Sequence, residues 1–186
     1  MRPHHLLPLL WLLAGTSCST TPVAARTSAT PLTFGAVPAG ERGTREAELA
    51  PLVEHLARVL NRPVQLEVPA SYRAMAQGMA EARWELAYVG PILYSRAHET
   101  SYDAVAVPVR DGKTTVEGVL LARRDRGLSE LAALKGKRIA FVDPSSSAGF
   151  QYPFALLYAN GLPPGSYERR FVGSHAAVLR AVRSGE

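Results

Sequence analysis

Asp143-Pro144-Ser145-Ser146-Ser147-Ala148-Gly149 is the densest run of hydroxyls in the chain outside its first thirty residues. One serine in such a run caps the helix that follows, which leaves the other hydroxyls as surplus hydrogen-bonding groups. Ser71, Gly90-Pro91 and Gly173-Ser174 mark comparable junctions, and each carries a polar ring close by in Tyr72, Tyr88 or His175. Hydroxyls, ring donors and free backbone N–H groups are what a tetrahedral oxyanion needs, with no metal required. Each junction alone reads first as an ordinary helix cap; the triple serine carries the functional reading.

A catalytic reading uses the same residues. Ser147 would be a nucleophile and His175 its base. No Gly-x-Ser-x-Gly elbow is present, and the nearest carboxylate, Asp143, precedes a proline and reads as a turn residue. No enzyme is therefore expected. Metal chemistry has less support: there is one cysteine, His4 and His5 lie near the N-terminus, and His55, His98 and His175 have no ligand spacing. No cofactor is expected.

The elements that must position these groups alternate. Leu32–Val37, Val64–Val68, Leu86–Val89, Arg138–Val142 and Arg169–Val172 read as strands. Tyr102–Val109 reads as a further strand, Asp111-Gly112 as a turn, and Val116–Ala122 as an extended crossing. Leu49, Leu52, Val53, Leu56, Val59 and Leu60 recur at helical spacing, ended by Asn61. Pro51 fits only a first turn, which predicts a start near Ala47 or later. Ser71 caps a helix through Met75 and Met79, weakened by Gly78; Ser129 caps a short one through Leu131 and Leu134, ended by Gly136. Phe150, Phe154, Leu157 and Tyr158 share one face of a helix stopped by Gly161, and a last helix begins at His175. This βαβα order predicts an α/β fold in two units, with mainly parallel sheets and ligands at the carboxyl ends of the strands.

Composition limits the function classes. The 186 residues are 47% hydrophobic and 20% charged, which excludes bulk disorder. The net charge of +5 suggests anionic partners, yet arginines sit beside acids at Arg42–Glu41, Arg45–Glu46 and Arg83–Glu81. The charge thus reads as a solvated surface, with no nucleic-acid partner expected. The apolar run Leu9–Ala14 is too short to span a bilayer.

Residues 1–30 read as an export leader and tether, not as fold. Arg2, His4 and His5 precede an apolar run, then small residues, then Cys18. Ala14-Gly15-Thr16-Ser17-Cys18 resembles a bacterial lipobox, although Gly15 replaces the usual leucine. Lipidation at Cys18 is the expected processing; cleavage after Val23-Ala24-Ala25 is the alternative. Thr20–Pro31, rich in Ser, Thr, Ala and Pro, is a flexible tether. Both routes place the protein outside the cytoplasm, at the cell envelope, with a periplasmic or extracellular face.

Several segments in order resemble the phosphate, phosphite and phosphonate substrate-binding proteins of bacterial ABC transporters. They are Leu32–Pro38, Pro51–Leu56, Ser71-Tyr72-Arg73, Leu86–Tyr94, Leu134–Gly149 and Gly173-Ser174-His175. The resemblance implies a two-lobed type II periplasmic binding-protein fold with an anion in the interlobe cleft. It implies that Tyr72, the hydroxyls of Ser146 and Ser147, the amide of Ala148 and His175 hold the ligand. Tyr88 and Ser145 join this candidate set from the junction reading. It also implies a membrane ABC permease as partner. On this scheme residues 31–108 form the first lobe, 109–122 the crossing segment and 123–186 a partial second lobe.

Two departures bear on specificity. Ala148 stands where the loop's last serine is usual, and Val116 falls where phosphonate binders often carry an aromatic. Both put aminoalkylphosphonates in doubt as ligands. The chain ends earlier than family members do, which predicts a truncated product with an incomplete second lobe, exposed apolar edges and weak binding. The alternative function on the same fold is a ligand-sensing module that feeds a signalling protein.

Overall fold

A computed structural model of the protein describes residues 30–38, 43–98 and 102–186. The leader, Cys18 and the Arg42–Glu41 pair lie outside the described residues. Ten regular elements alternate: β1 (Leu32–Ala36), α1 (Thr44–Val59), β2 (Val64–Glu67), α2 (Tyr72–Ala80), β3 (Leu86–Tyr88), α3 (Pro91–His98), β4 (Arg138–Phe141), α4 (Tyr152–Ala159), β5 (Glu168–Phe171) and α5 (His175–Ser184).

The strands form two sheets, and every ladder is parallel. β1 is the centre of a three-stranded sheet in the order β2-β1-β3, with Leu32 opposite Val64, Phe34 opposite both Leu66 and Leu86, and Ala36 opposite Tyr88. β4 pairs with β5 from Arg138–Glu168 to Phe141–Phe171. Parallel neighbours need crossover connections, and the helices α1, α2 and α4 supply them. The order β2-β1-β3 reverses direction at β1/β3. That places a crevice beyond the carboxyl ends of these two strands.

One core cluster joins the halves: Met75, Met79, Trp84 and Leu93 of the first sheet's layer pack with Val142, which follows β4. Trp84 is its largest member. A Cβ at Gly35 or Gly78 would strike the indole ring, so both glycines are needed for close approach. Gly78 was expected only to weaken its helix; here it admits the indole against α2. Trp84 Nε1 donates to Glu67 Oε2 at 2.8 Å, which satisfies the ring's only polar atom. A second cluster holds Phe141, Phe150, Leu157, Leu162 and Tyr167 beside β4. Phe150 meets Phe141 edge-on at 5.1 Å and Phe171 at 4.9 Å.

Several elements differ from the sequence reading for identifiable reasons. α1 begins at Thr44, so Pro51 lies inside it and not in its first turn. Proline removes one backbone donor there, but the first turn is secured independently: Ala47 N bonds Gly43 O at 3.2 Å, and buried Arg45 bonds Val37 O. Ser129 caps nothing. A single 3-10 turn spans Leu131–Leu134, with Glu130 before it and no side-chain cap. Residues 102–109 and 116–122 join no ladder among the described residues. A strand needs a neighbour for its ladder, and here only Arg110 and Lys113 bridge, around the Asp111-Gly112 turn. Val105, Val107, Val109, Val116 and Val119 stay exposed along these segments. Tyr158, expected on one face with Phe154 and Leu157, is 62% exposed while Leu157 is fully buried.

Candidate functional site

The Asp143–Gly149 loop leaves β4 and turns into the π turn. Asp143 Oδ1 accepts Ser145 N–H at 2.8 Å, so this carboxylate shapes the loop and does not orient His175. Ser146 is the cap: its Oγ accepts Gly149 N–H at 3.1 Å, and its carbonyl accepts from both Phe150 and Gln151. Pro153 has no N–H to offer the Gly149 carbonyl in α-helical fashion, and that carbonyl accepts Val142 N–H at 3.1 Å. The loop is thereby stapled to the end of its own strand.

The surplus hydroxyls reach the other half of the molecule. Ser147 Oγ accepts Ile92 N–H at 3.1 Å, at the start of α3. Ser145 Oγ accepts Arg96 Nη1–H at 3.1 Å, one turn further along α3. Ser146 lies beside the Tyr72 phenol of α2, close enough to hold its pKa down against the rise that burial causes. A hydroxyl that accepts one bond still has its own hydrogen to donate. Ser145 and Ser147 are therefore held in place by acceptance and remain donors. The amide of Ala148 lies in the first residues of the π turn, where N–H groups have no intrahelical acceptor.

Ser71 and Ser174 cap their helices as expected, accepting from Ala74 N and Ala177 N at 3.1 Å each. Each cap sets a ring in the next position. Tyr72 is 7% exposed, and burial raises its phenol pKa; the nearby Ser146 side chain and the charge of Arg45 partly offset that rise. His175 keeps an open surface, yet enough protein surrounds it that burial lowers its pKa, and Arg45 lowers it further. The ring is thus biased toward its neutral form, which donates one hydrogen bond.

Tyr88 is placed differently. It ends β3, its carbonyl accepts Val37 N–H at 2.9 Å, and its ring lies under a guanidinium, Arg45 Cζ being 5.4 Å from the centroid. Arg45 is a buried cation beside these rings that the sequence reading passed over. It was paired there with Glu46 and assigned to a solvated surface. It is 9% exposed, bonds Val37 O through Nε at 3.2 Å, and pairs with Glu48 at 3.0 Å. Its position just past β1, the central strand, was the available signal. The neighbouring Arg83–Glu81 pair does lie on the surface as expected, at 2.9 Å.

The two halves thus present Tyr72, Tyr88 and Arg45 from one side and Ser145, Ser146, Ser147, Ala148 and His175 from the other. Among the described residues no cluster of three His, Cys, Asp or Glu side chains could hold a metal. The arrangement gathers hydrogen-bond donors and positive charge at the carboxyl ends of the strands, where open parallel sheets hold their ligands. The family described as "ABC transporter, phosphonate, periplasmic substrate-binding protein" matches residues 34–186. The chain belongs to this family. It is a family of transport substrate-binding proteins and not of enzymes, and its members work outside the cytoplasm.

Relatives fit that placement. The chain is 28% identical over 169 residues to a phosphate-import protein PhnD of Mycolicibacterium smegmatis, covering 83% of this chain and 52% of that protein. It matches the structure of PhnD1 from Prochlorococcus marinus in complex with methylphosphonate at TM-score 0.67 and 20% identity, over 83% of this chain and 60% of that one. A binding protein component of an ABC phosphonate transporter from Pseudomonas aeruginosa matches at TM-score 0.67 and 19% identity, over 83% and 54%. The chain thus spans about half the length of the curated relative. These structures share the α/β fold with parallel sheets that the element order predicted. No described helix is long and apolar enough to cross a membrane.

Proposed function

We propose that this protein is the solute-binding component of an ABC importer and that it binds a phosphorus oxyanion between its two halves. One observation carries the reading. Ser145 and Ser147 of a single loop accept bonds from α3 while their own hydrogens stay available, so one loop can join the halves and ligate at once. Residues 31–108 and 123–186 act as lobes joined by 109–122. Tyr72 and Tyr88 line one wall; Ser145, Ser146, Ser147, the Ala148 amide and His175 line the other. The ligand favours the closed state because only there do both walls reach it. The protein works at the cell envelope, anchored through lipidated Cys18, and delivers its ligand to a membrane permease.

Calorimetry on the whole protein with phosphate, phosphite, methylphosphonate and sulfate tests this. Heat is expected from at least one phosphorus ligand and little from sulfate. Replacing both Ser146 and Ser147 with alanine should weaken that binding at least about a hundredfold, since each bond to a charged ligand is worth about 1.5–3 kcal/mol. Silence from every oxyanion, or an unchanged affinity in the double variant, would reject the site.

A further inference from the structure

Arg45 has no place in the junction pattern of hydroxyls and rings, yet its setting resembles a built site more than a surface pair. Its side chain is 11% exposed, whereas its partner Glu48 is 53% exposed and remains in contact with water. The carboxylate is therefore dielectrically screened while the guanidinium is not, and the pair leaves net positive charge inside the crevice. Three contacts from three elements fix the group: the Val37 carbonyl after β1, Glu48 on α1 and the Tyr88 ring at the end of β3. Among the described residues, Nη2 has no hydrogen-bond partner. The position is the β1/β3 switch point, where ligands of open parallel sheets sit. Its charge also reaches both walls, acting on Tyr72 from one half and on His175 from the other.

We propose that Arg45 is the fixed cation of the cleft and sets its ligand class: phosphorus oxyanions that carry no amine. This rests on the oxyanion-binding reading above. Arginine stays charged at every physiological pH, so a guanidinium in the cleft attracts the oxyanion in any condition and repels a ligand ammonium. His175, biased toward neutrality, supplies a directional bond while Arg45 supplies the charge.

The test compares methylphosphonate with 2-aminoethylphosphonate by calorimetry, on the wild type, Arg45→Lys and Arg45→Met. The wild type should prefer methylphosphonate by about tenfold or more, the usual scale for one misplaced like charge. Arg45→Met should weaken methylphosphonate by at least about tenfold and bring the two ligands to near-equal affinity. Arg45→Lys should keep most of the preference. Equal wild-type affinity for the two ligands overturns the proposal without recourse to any variant, so a poorly folded Arg45→Met cannot shelter it. An unchanged ratio in a folded Arg45→Met overturns it as well. Wild-type silence toward all oxyanions would instead remove the cleft reading, and this inference with it.

Discussion

The junction after β4 and the junction after β1 both build the crevice, but by opposite means. After β4, function is concentrated: seven consecutive residues supply a turn carboxylate, a cap, two cross-molecule acceptors and a free amide. After β1, function is a single side chain whose role comes from what surrounds it. Ser146 and Ser147 are buried at 2% and 7% within a hydrogen-bonded loop; Arg45 is buried at 9% through long-range contacts with Val37 and Tyr88. A neutral donor set can be written locally, because hydroxyls and amides within one turn satisfy each other. A desolvated charge cannot, because its cost must be offset by groups brought in from elsewhere.

The largest effect expected on this contrast comes from the locally written junction. At Gly149 a Cβ would collide with Val142 and with Ser146 Oγ, the cap itself. Gly149→Ala should destabilise the protein by about 1–3 kcal/mol, as overpacking of a tight site does. Thermal melts would show it as a fall of several degrees, and oxyanion affinity should drop with it because the cap and the ligating hydroxyls share one loop. A melt at the wild-type temperature would show that the loop can relax, contrary to its stapling by the Val142–Gly149 bond.

The second effect is smaller and probes the other junction through its reach. The folded-state pKa of His175 is lowered, first by burial and then by Arg45. A group with a depressed imidazole pKa is neutral in the folded state where the unfolded chain already takes up a proton. Stability is therefore fully retained above the ordinary value of 6.5 and falls as pH drops below it, until the folded-state pKa is reached. An NMR titration of His175 should give a midpoint below 6.5 in the wild type and a higher one in Arg45→Met. Identical midpoints would mean that the guanidinium is too well screened to act as the cleft's cation.

What the sequence disclosed follows the same division. The succession of strands and helices and the residues after Ser71, at Asp143–Gly149 and after Ser174 were legible because capping and alternation are local signals. The start of α1 was not: Pro51 argued for a later beginning, and only the burial of Arg45 against Val37 explains an earlier one. Residues 102–109 and 116–122 have strand-like composition but join no ladder among the described residues, and pairing is not a property of a single segment. Arg45 beside Glu46 looked like an ordinary surface pair; its actual partner, Glu48, lies one helical turn on. A reading that inspected the outgoing end of every strand, the first included, would have reached it.

The smallest effect separates joining from ligating within the serine loop. Ser145 is the outermost of the three, half-buried, and its Oγ takes its bond from Arg96, an exposed side chain on α3. Ser146 and Ser147 take theirs from backbone N–H groups. An exposed bond to a mobile arginine is worth no more than about 1 kcal/mol, since both partners regain water when it breaks. Ser145→Ala should therefore cost at most about fivefold in oxyanion affinity. Arg96→Ala, which removes the same bond while leaving the Ser145 hydroxyl free to donate, should cost less still. If Ser145→Ala matched the loss in Ser147→Ala, the loop would act as three equal ligands and the graded arrangement drawn from its partners would be wrong. If instead Arg96→Ala equalled Ser145→Ala, the serine's contribution would lie wholly in holding the two halves together.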